Sequence, residues 1–265
     1  MYEFNYHRPA TLDEAKKILA ANVEAKVIAG GMTMLPTMKM RLARPSDLVD
    51  LAAIDGLAGI RDSGGAIEIG AMTRHAEVAA SDVVRESIPA LASLAASIGD
   101  VQVRNRGTLG GSIANSDPAA DYPAAVLGLN ATVKTDQRDI AADDFFTGMF
   151  ETALAPDELI VSVSFPKPAR AAYAKFPNPA SRYAVAGVMV AETDDGVRVA
   201  VTGAGASAFR VAAFEEALAA SLTADALAGL SIDAAALNSD LHASAAYRAH
   251  LVNVMARRAV EALGG

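Results

Sequence analysis

Two short glycine-bearing segments constrain this chain more than anything else in it. One is Ala29-Gly30-Gly31-Met32-Thr33-Met34-Leu35-Pro36; the other is Gly107-Thr108-Leu109-Gly110-Gly111-Ser112, continuing through Ile113 to Pro123. Each sets small residues beside a hydroxyl, which lets a backbone approach a phosphate closely and aim N–H groups at it. One such segment is an ordinary turn. Two of them, about half a domain apart, point to a single diphosphate held between two lobes, as in a flavin or nucleotide site.

The surrounding pattern supplies those lobes. Thr11 is a good N-cap and Glu14 completes a capping box, so residues 11–21 are expected to be helical, with Leu12, Ala15, Ile18 and Leu19 on one face. Lys26 to Ala29 is a short apolar run ending at Gly30-Gly31, which predicts a buried strand. Met34, Leu35, Met38 and Leu42 keep helical spacing up to Pro45. Strand, glycine turn and helix start is the order that presents amides to an anion. With a strand at residues 47–51, a first βαβ-like lobe closes at residue 55.

The glycines from Gly56 to Gly65 open a second unit, predicted to span residues 56–166. Its expected elements are strands at 66–70, 131–134 and 159–165 and helices at 75–80, 87–97 and 123–129. The polar, twice-basic stretch from Val101 to Gly111 is read as irregular and as the feed into the second glycine segment, with Arg104 and Arg106 bracing it. Pro166-Lys167-Pro168 is the strongest linker candidate. Residues 170–265 are expected to form a third unit, an antiparallel meander (173–176, 185–192, 197–202) covered by helices at 211–220 and 247–263.

Composition excludes whole classes of function. The chain has 265 residues, 52% of them apolar, and no cysteine, so disulfides, thiolate zinc sites and protein-ligated iron–sulfur clusters are out. Its four histidines, His7, His75, His242 and His250, lack metal-ligand spacing and are read as surface or capping residues; no metal site is expected. A net charge of −8 argues against a nucleic-acid partner. No run reaches about 18 apolar residues and no basic stretch precedes an apolar core at the start, so a cytoplasmic protein without a transmembrane segment is expected.

Thr202-Gly203-Ala204-Gly205-Ala206-Ser207-Ala208 satisfies a dinucleotide G-x-G-x-x-A pattern. Its context argues against that use, because the remaining sequence reads as helices and supplies no further strands for a parallel sheet. The plainer reading is a tight turn from strand to helix.

Taken together, Ala29-Gly30-Gly31 through Lys39, Ile69-Gly70-Ala71-Met72-Thr73, Gly99 through Ser112, and Pro179-Ala180-Ser181-Arg182-Tyr183-Ala184-Val185 resemble the FAD-binding medium subunit of the molybdenum hydroxylases. That family includes aerobic carbon monoxide dehydrogenase and xanthine dehydrogenase. The resemblance spans essentially the whole chain. It implies an α+β fold: a two-lobed FAD-binding domain of the vanillyl-alcohol-oxidase/PCMH-like kind, then a small C-terminal domain of antiparallel sheet plus helices.

The resemblance also implies residue roles. Ala29, Gly30, Gly31, Met32, Thr33, Met34 and Leu35 would supply amides and the Thr33 hydroxyl to the FAD diphosphate, with Thr108, Leu109, Gly110, Gly111 and Ser112 gripping it from the other lobe. Asp121 stands where the family has an acid on the adenosine portion; capping the following helix is its alternative role. Ile160 aligns with an apolar residue against a flat ring, although a buried strand residue looks the same. Lys175 falls where a lysine lies near the flavin and would stabilise the anionic reduced ring. Tyr183 either flanks the isoalloxazine or packs. Many relatives carry His or Thr where this chain has Met32, so a side-chain contact there is in question while amide binding is not.

The function so implied is electron transfer. A molybdenum cofactor in a large subunit oxidises the substrate, two [2Fe–2S] clusters in a small subunit relay electrons, and FAD here passes them to an external acceptor. Quinone is favoured over NAD because no nicotinamide motif is present. The assembly expected is a dimer of heterotrimers, most like carbon monoxide dehydrogenase. A purine, an aldehyde, nicotine or another N-heterocycle fits this chain as well, since the substrate is chosen elsewhere. No catalytic acid or base is required of it. The rivals are a stand-alone FAD oxidase or dehydrogenase and a flavin-free scaffold.

Overall fold

A computed structural model describes residues 1–264. It is an α+β chain built on three main sheets. The first is three-stranded and wholly parallel, in the order Asn5–His7, Asp47–Asp50, Lys26–Ile28. The helices Leu12–Ala21 and Met34–Lys39 make its two crossovers. Thr11 caps the first of these, its Oγ1 accepting from Glu14 N at 3.2 Å, while the Glu14 carboxylate accepts from Ala10 N at 2.9 Å. This closes the box one residue earlier than the sequence suggested.

The second sheet is antiparallel and five-stranded: Ile60–Asp62, Ala66–Gly70, Ile160–Pro166, Thr132–Thr135, Asp139–Ala141. Its central strand Ile160–Pro166 comes from the far end of the unit, so the helices between are clasped by a long-range pairing. Ile67, Ile69, Val133, Val163 and Phe165 face the buried helices Pro89–Ser97 and Tyr122–Gly128 in one apolar core. The helix expected over residues 87–97 starts at Pro89 and runs to Ser97, and a separate helix not expected from the sequence, Asp82–Ser87, precedes it. Ile88, ahead of a proline, is driven out of the helical region to φ −140°, ψ 70°. The stretch expected to be irregular also carries two short helices, Val101–Arg104 and Leu109–Asn115. Asp100 and Thr108 cap them by accepting from Val103 N (2.8 Å) and Gly111 N (3.2 Å). Arg104 does brace the segment, donating to Ile98 O and Gly99 O at 3.1 Å each.

One edge of this unit is an acid-sensitive clasp. Glu158 accepts from Arg138 Nε (2.9 Å) and Nη2 (3.0 Å), from Ala155 N (2.9 Å) and from Thr135 Oγ1 (2.8 Å). The Arg138 guanidinium foremost, then the Ala155 amide and Thr135 hydroxyl, hold its carboxyl down to about 2 from an ordinary 4.5. A depressed carboxylate contributes stability that is fully present above its unfolded pKa and is lost as pH falls through the folded one. Melting temperature is therefore expected to drop between pH 4.5 and 2. Glu158→Gln should flatten that part of the curve; an unchanged acid slope would remove Glu158 from the account.

The third sheet is antiparallel, in chain order Arg170–Pro177, Ala184–Thr193, Gly196–Thr202, Phe209–Arg210, with the helices Ala212–Ala220 and Ala245–Leu263 against one face. Thr202 to Ala208 turns into the fourth strand rather than into a helix. Gly203, at φ +83°, bonds its N–H to Pro118 O at 2.7 Å, so this glycine run is a structural turn tied to the second unit. Met189, Ala191 and Ala200 on the other face of the third sheet belong to the same core as the second sheet's helices. Pro166 to Pro168 accordingly is no free linker. Pro166 pairs with Ala66, Lys167 N bonds Gly65 O at 3.0 Å, and Lys167 Nζ meets Asp62 at 2.8 Å. Among the described residues no helix is long and apolar enough to cross a membrane.

Candidate functional site

A cleft of about 540 Å³ opens where the three sheets converge, within the usual range for a small-molecule or cofactor site. The strand Lys26–Ile28 delivers the first glycine segment to its rim. There Gly31 takes φ +73° and the amides of Gly30, Gly31, Met32, Thr33 and Met34 donate to no acceptor among the described residues. A run of unpartnered N–H groups around a glycine is a concave anion nest, and it needs no lysine. The Thr33 side chain caps nothing, which leaves its hydroxyl available as well.

Facing it, the second segment behaves differently from expectation. Leu109 N bonds Thr73 O (3.0 Å), Gly110 N bonds Ala71 O (2.8 Å), and Gly111 N and Ser112 N bond Thr108 Oγ1 (3.2 Å) and Thr108 O (3.0 Å). These amides are spent on helix start and sheet. What this segment turns to the cleft is the bare backbone of Gly107 and Gly111 with Thr108 and Ser112. The two segments touch tightly, since a Cβ on Gly30 would lie 2.1 Å from Arg106 O, and Gly110 packs as closely on the end of the second sheet, where a Cβ would lie 2.6 Å from the Ala71 Cβ. Glycine at these places is thus required by close approach.

Of the residues expected at the site, Ala29, Gly30, Gly31, Met32, Thr33, Met34, Thr108, Gly111, Ser112, Asp121 and Tyr183 line the cleft. Leu35, Leu109, Gly110, Ile160 and Lys175 do not line it. Leu109 and Ile160 are core residues, 0% and 6% exposed. Lys175 spends its ammonium on Asp121 (3.0 Å) and Ser97 O (3.1 Å), while Tyr173 Oη donates to the same carboxylate at 2.5 Å. Asp121 therefore makes no helix-cap hydrogen bond. Burial pushes its carboxyl up, with Lys175 and Tyr173 pulling the other way.

Sequence reasoning missed His75, Asn115, Asp117, Ser181 and Arg182, which also line the cleft. Ser181 and Arg182 lay inside a quoted motif, and Asn115 and Asp117 in the tail of the second segment; nothing in the sequence marked His75. That histidine was expected to be a surface or capping residue; it is 4% exposed, and burial, followed by the Arg104 charge, lowers it to about 4. Among the described residues Arg182 is the one lysine or arginine on the lining. Asp117 is raised by burial, and burial followed by Asp117 and Asp121 raises Tyr183. The cleft thus offers free amides together with two carboxylates and a phenol.

Residues 2–168 match the model of the FAD binding domain in molybdopterin dehydrogenase. The chain belongs to that family. It is similar throughout to the nicotine 6-hydroxylase medium subunit of Paenarthrobacter nicotinovorans, 37% identical, covering 98% of this chain and 96% of the relative. Among solved structures it is similar to reconstituted CO dehydrogenase from Oligotropha carboxidovorans, with TM-score 0.91, 33% identity and 99% and 98% of the two chains covered. Carbon monoxide dehydrogenase from Hydrogenophaga pseudoflava matches at TM-score 0.89 and 34% identity over 99% and 98%. The chain is thus an FAD-binding medium subunit of the molybdenum hydroxylase family, an oxidoreductase component with the fold of the carbon monoxide dehydrogenase medium chain. The cleft fits that cofactor: the unpartnered amides suit a diphosphate, and the glycines let the two segments close on each other at its rim.

Proposed function

We propose that this subunit holds FAD with its diphosphate against the Gly30 to Met34 amides and relays electrons from [2Fe–2S] clusters of a small partner subunit to an external acceptor, quinone before NAD. In this reading residues 1–55 and 56–166 are the two lobes around the cofactor and residues 170–265 the C-terminal domain. Thr33, Thr108 and Ser112 add hydroxyls, and Asp121 and Tyr183 border the adenosine and ring portions. Bound FAD supplies the redox chemistry, while the chain contributes placement and electrostatics. Lys175 acts through Asp121, since its ammonium is already paired inside the protein. Ile160, Leu109, Gly110 and Leu35 act by packing behind the lining.

The observation that carries this reading is the row of free amides facing a second unit across one cleft. The proposed assembly is a cytoplasmic dimer of heterotrimers with a large molybdenum-cofactor subunit, built like carbon monoxide dehydrogenase. Relatives named for nicotine and for carbon monoxide match this chain at 37% each, which agrees with a substrate chosen in a partner.

The purified chain is expected to take up FAD at one per chain and to show a flavin spectrum. Co-purified partners should bring iron and molybdenum, and the flavin should be reduced through them and not by small substrates added to the lone chain. A chain left colourless by excess FAD would sink the proposal; direct reduction of the lone flavoprotein by a substrate would favour a stand-alone dehydrogenase.

A further inference from the structure

His75 opens the helix His75–Ala80, its own amide donating to Gly107 O at 3.0 Å. The ring packs on Tyr122 with centroids 5.3 Å apart, and Nδ1 is sealed from solvent with no hydrogen-bond partner. Burial keeps the imidazole neutral, so it carries one N–H and one lone pair. An orphaned buried N–H is rarer than an under-used acceptor, which places the lone pair on Nδ1 and the hydrogen on Nε2.

Nε2 lies against Gly107 on the cleft wall. A Cβ on Gly107 would sit 2.6 Å from Nε2 and 2.8 Å from Cδ2, so any side chain at that position would cover the nitrogen. Gly107 in turn packs beneath Gly30, whose Cβ would fall 2.8 Å from the Gly107 Cα. His75 therefore reaches the same end of the cleft as the free amides, through a window that only glycine leaves open.

We propose that His75 is a cofactor-positioning residue, an uncharged donor whose Nε2–H bonds an oxygen of the FAD diphosphate segment through the Gly107 window. The proposal rests on the placement of the diphosphate along Gly30 to Met34. It adds a directional contact from the second unit, whose own amides at residues 109–112 are already spent.

The test uses the full-length chain stripped of flavin, titrated with FAD, ADP and riboflavin, with melting of the stripped chain measured alongside. His75→Phe keeps an aromatic ring and removes the donor. It is expected to weaken FAD and ADP about tenfold, leave riboflavin unaffected and leave the stripped chain's melting unchanged. His75→Gln keeps an N–H and should restore most of the affinity, and Gly107→Ala should reproduce the phenylalanine loss. Wild-type FAD affinity in His75→Phe, a Gln variant as weak as the Phe variant, or a loss seen with riboflavin but not ADP would each overturn the proposal. Failure of the unaltered chain to bind FAD overturns the functional reading itself, and is distinguishable because it needs no variant.

Discussion

Lys175→Met should destabilise the folded chain by about 3–5 kcal/mol, the usual cost of removing one partner from a buried ion pair. At this chain length that corresponds to a fall in melting temperature of roughly 6–20 °C. The reason is local. The Lys175 side chain is 7% exposed and Asp121 4%, so the carboxylate left behind is largely cut off from water and keeps only the Tyr173 hydroxyl as a protein partner. The pair also joins separate pieces of structure: Asp121 precedes the helix Tyr122–Gly128, Lys175 and Tyr173 sit on the strand Arg170–Pro177, and Ser97 O ends the helix Pro89–Ser97. Removing both charges in Asp121→Asn/Lys175→Met should recover most of the loss, because the unpaired charge and not the lost attraction is what destabilises. Because Asp121 lines the cleft, the single variant should also lose flavin on gel filtration. A melting temperature for Lys175→Met within about 2 °C of the parent, less than 1 kcal/mol at this size, would show that the pair is dispensable.

Gly30→Ala should lower FAD affinity roughly 100-fold, equivalent to about 2.7 kcal/mol. Its new methyl would lie 2.1 Å from Arg106 O, 2.7 Å from Arg106 C and 2.8 Å from Gly107 Cα. All three atoms are backbone, so no rotamer change relieves the overlap and the two segments must part. Parting them displaces the free amides from the wall that faces them and covers the approach to His75. Gly65→Ala is the matched control, since its added methyl meets nothing within 4 Å. Flavin titration and thermal melting on both variants read the effect. Equal affinity for FAD in Gly30→Ala and Gly65→Ala would separate the close approach from cofactor binding.

Much of the architecture was legible in the residues, because it depends on local physics. The Thr11 cap, the apolar run before Gly30-Gly31 and the alternating strands of the third sheet each follow from propensity and period over a few residues. The short strands Asn5–His7, Ile60–Asp62, Asp139–Ala141, Phe146–Gly148 and Glu151–Thr152 escaped. Pairing with a distant neighbour makes them, and a run of two or three residues carries no periodic signal. The helix Leu109–Asn115 escaped for a different reason. Its two glycines argue against helix, while Thr108 capping and the contacts of Gly110 with Ala71 hold it in place.

The sequence alone pointed to two glycine segments brought together, because no other residue type allows backbones that close. It also determined that any iron–sulfur cluster belongs to another chain, since no thiol exists here to hold one. Only the tertiary structure decided which amides stay free. Those of Gly30 to Met34 find no acceptor among the described residues, whereas those of Leu109 and Gly110 are taken by Thr73 and Ala71, and such partners lie many residues away. It likewise assigned Lys175 to Asp121 and drew His75, expected at the surface or as a cap, to the cleft wall. Charge pairing and burial are properties of neighbours in space, and a one-dimensional pattern holds no record of them.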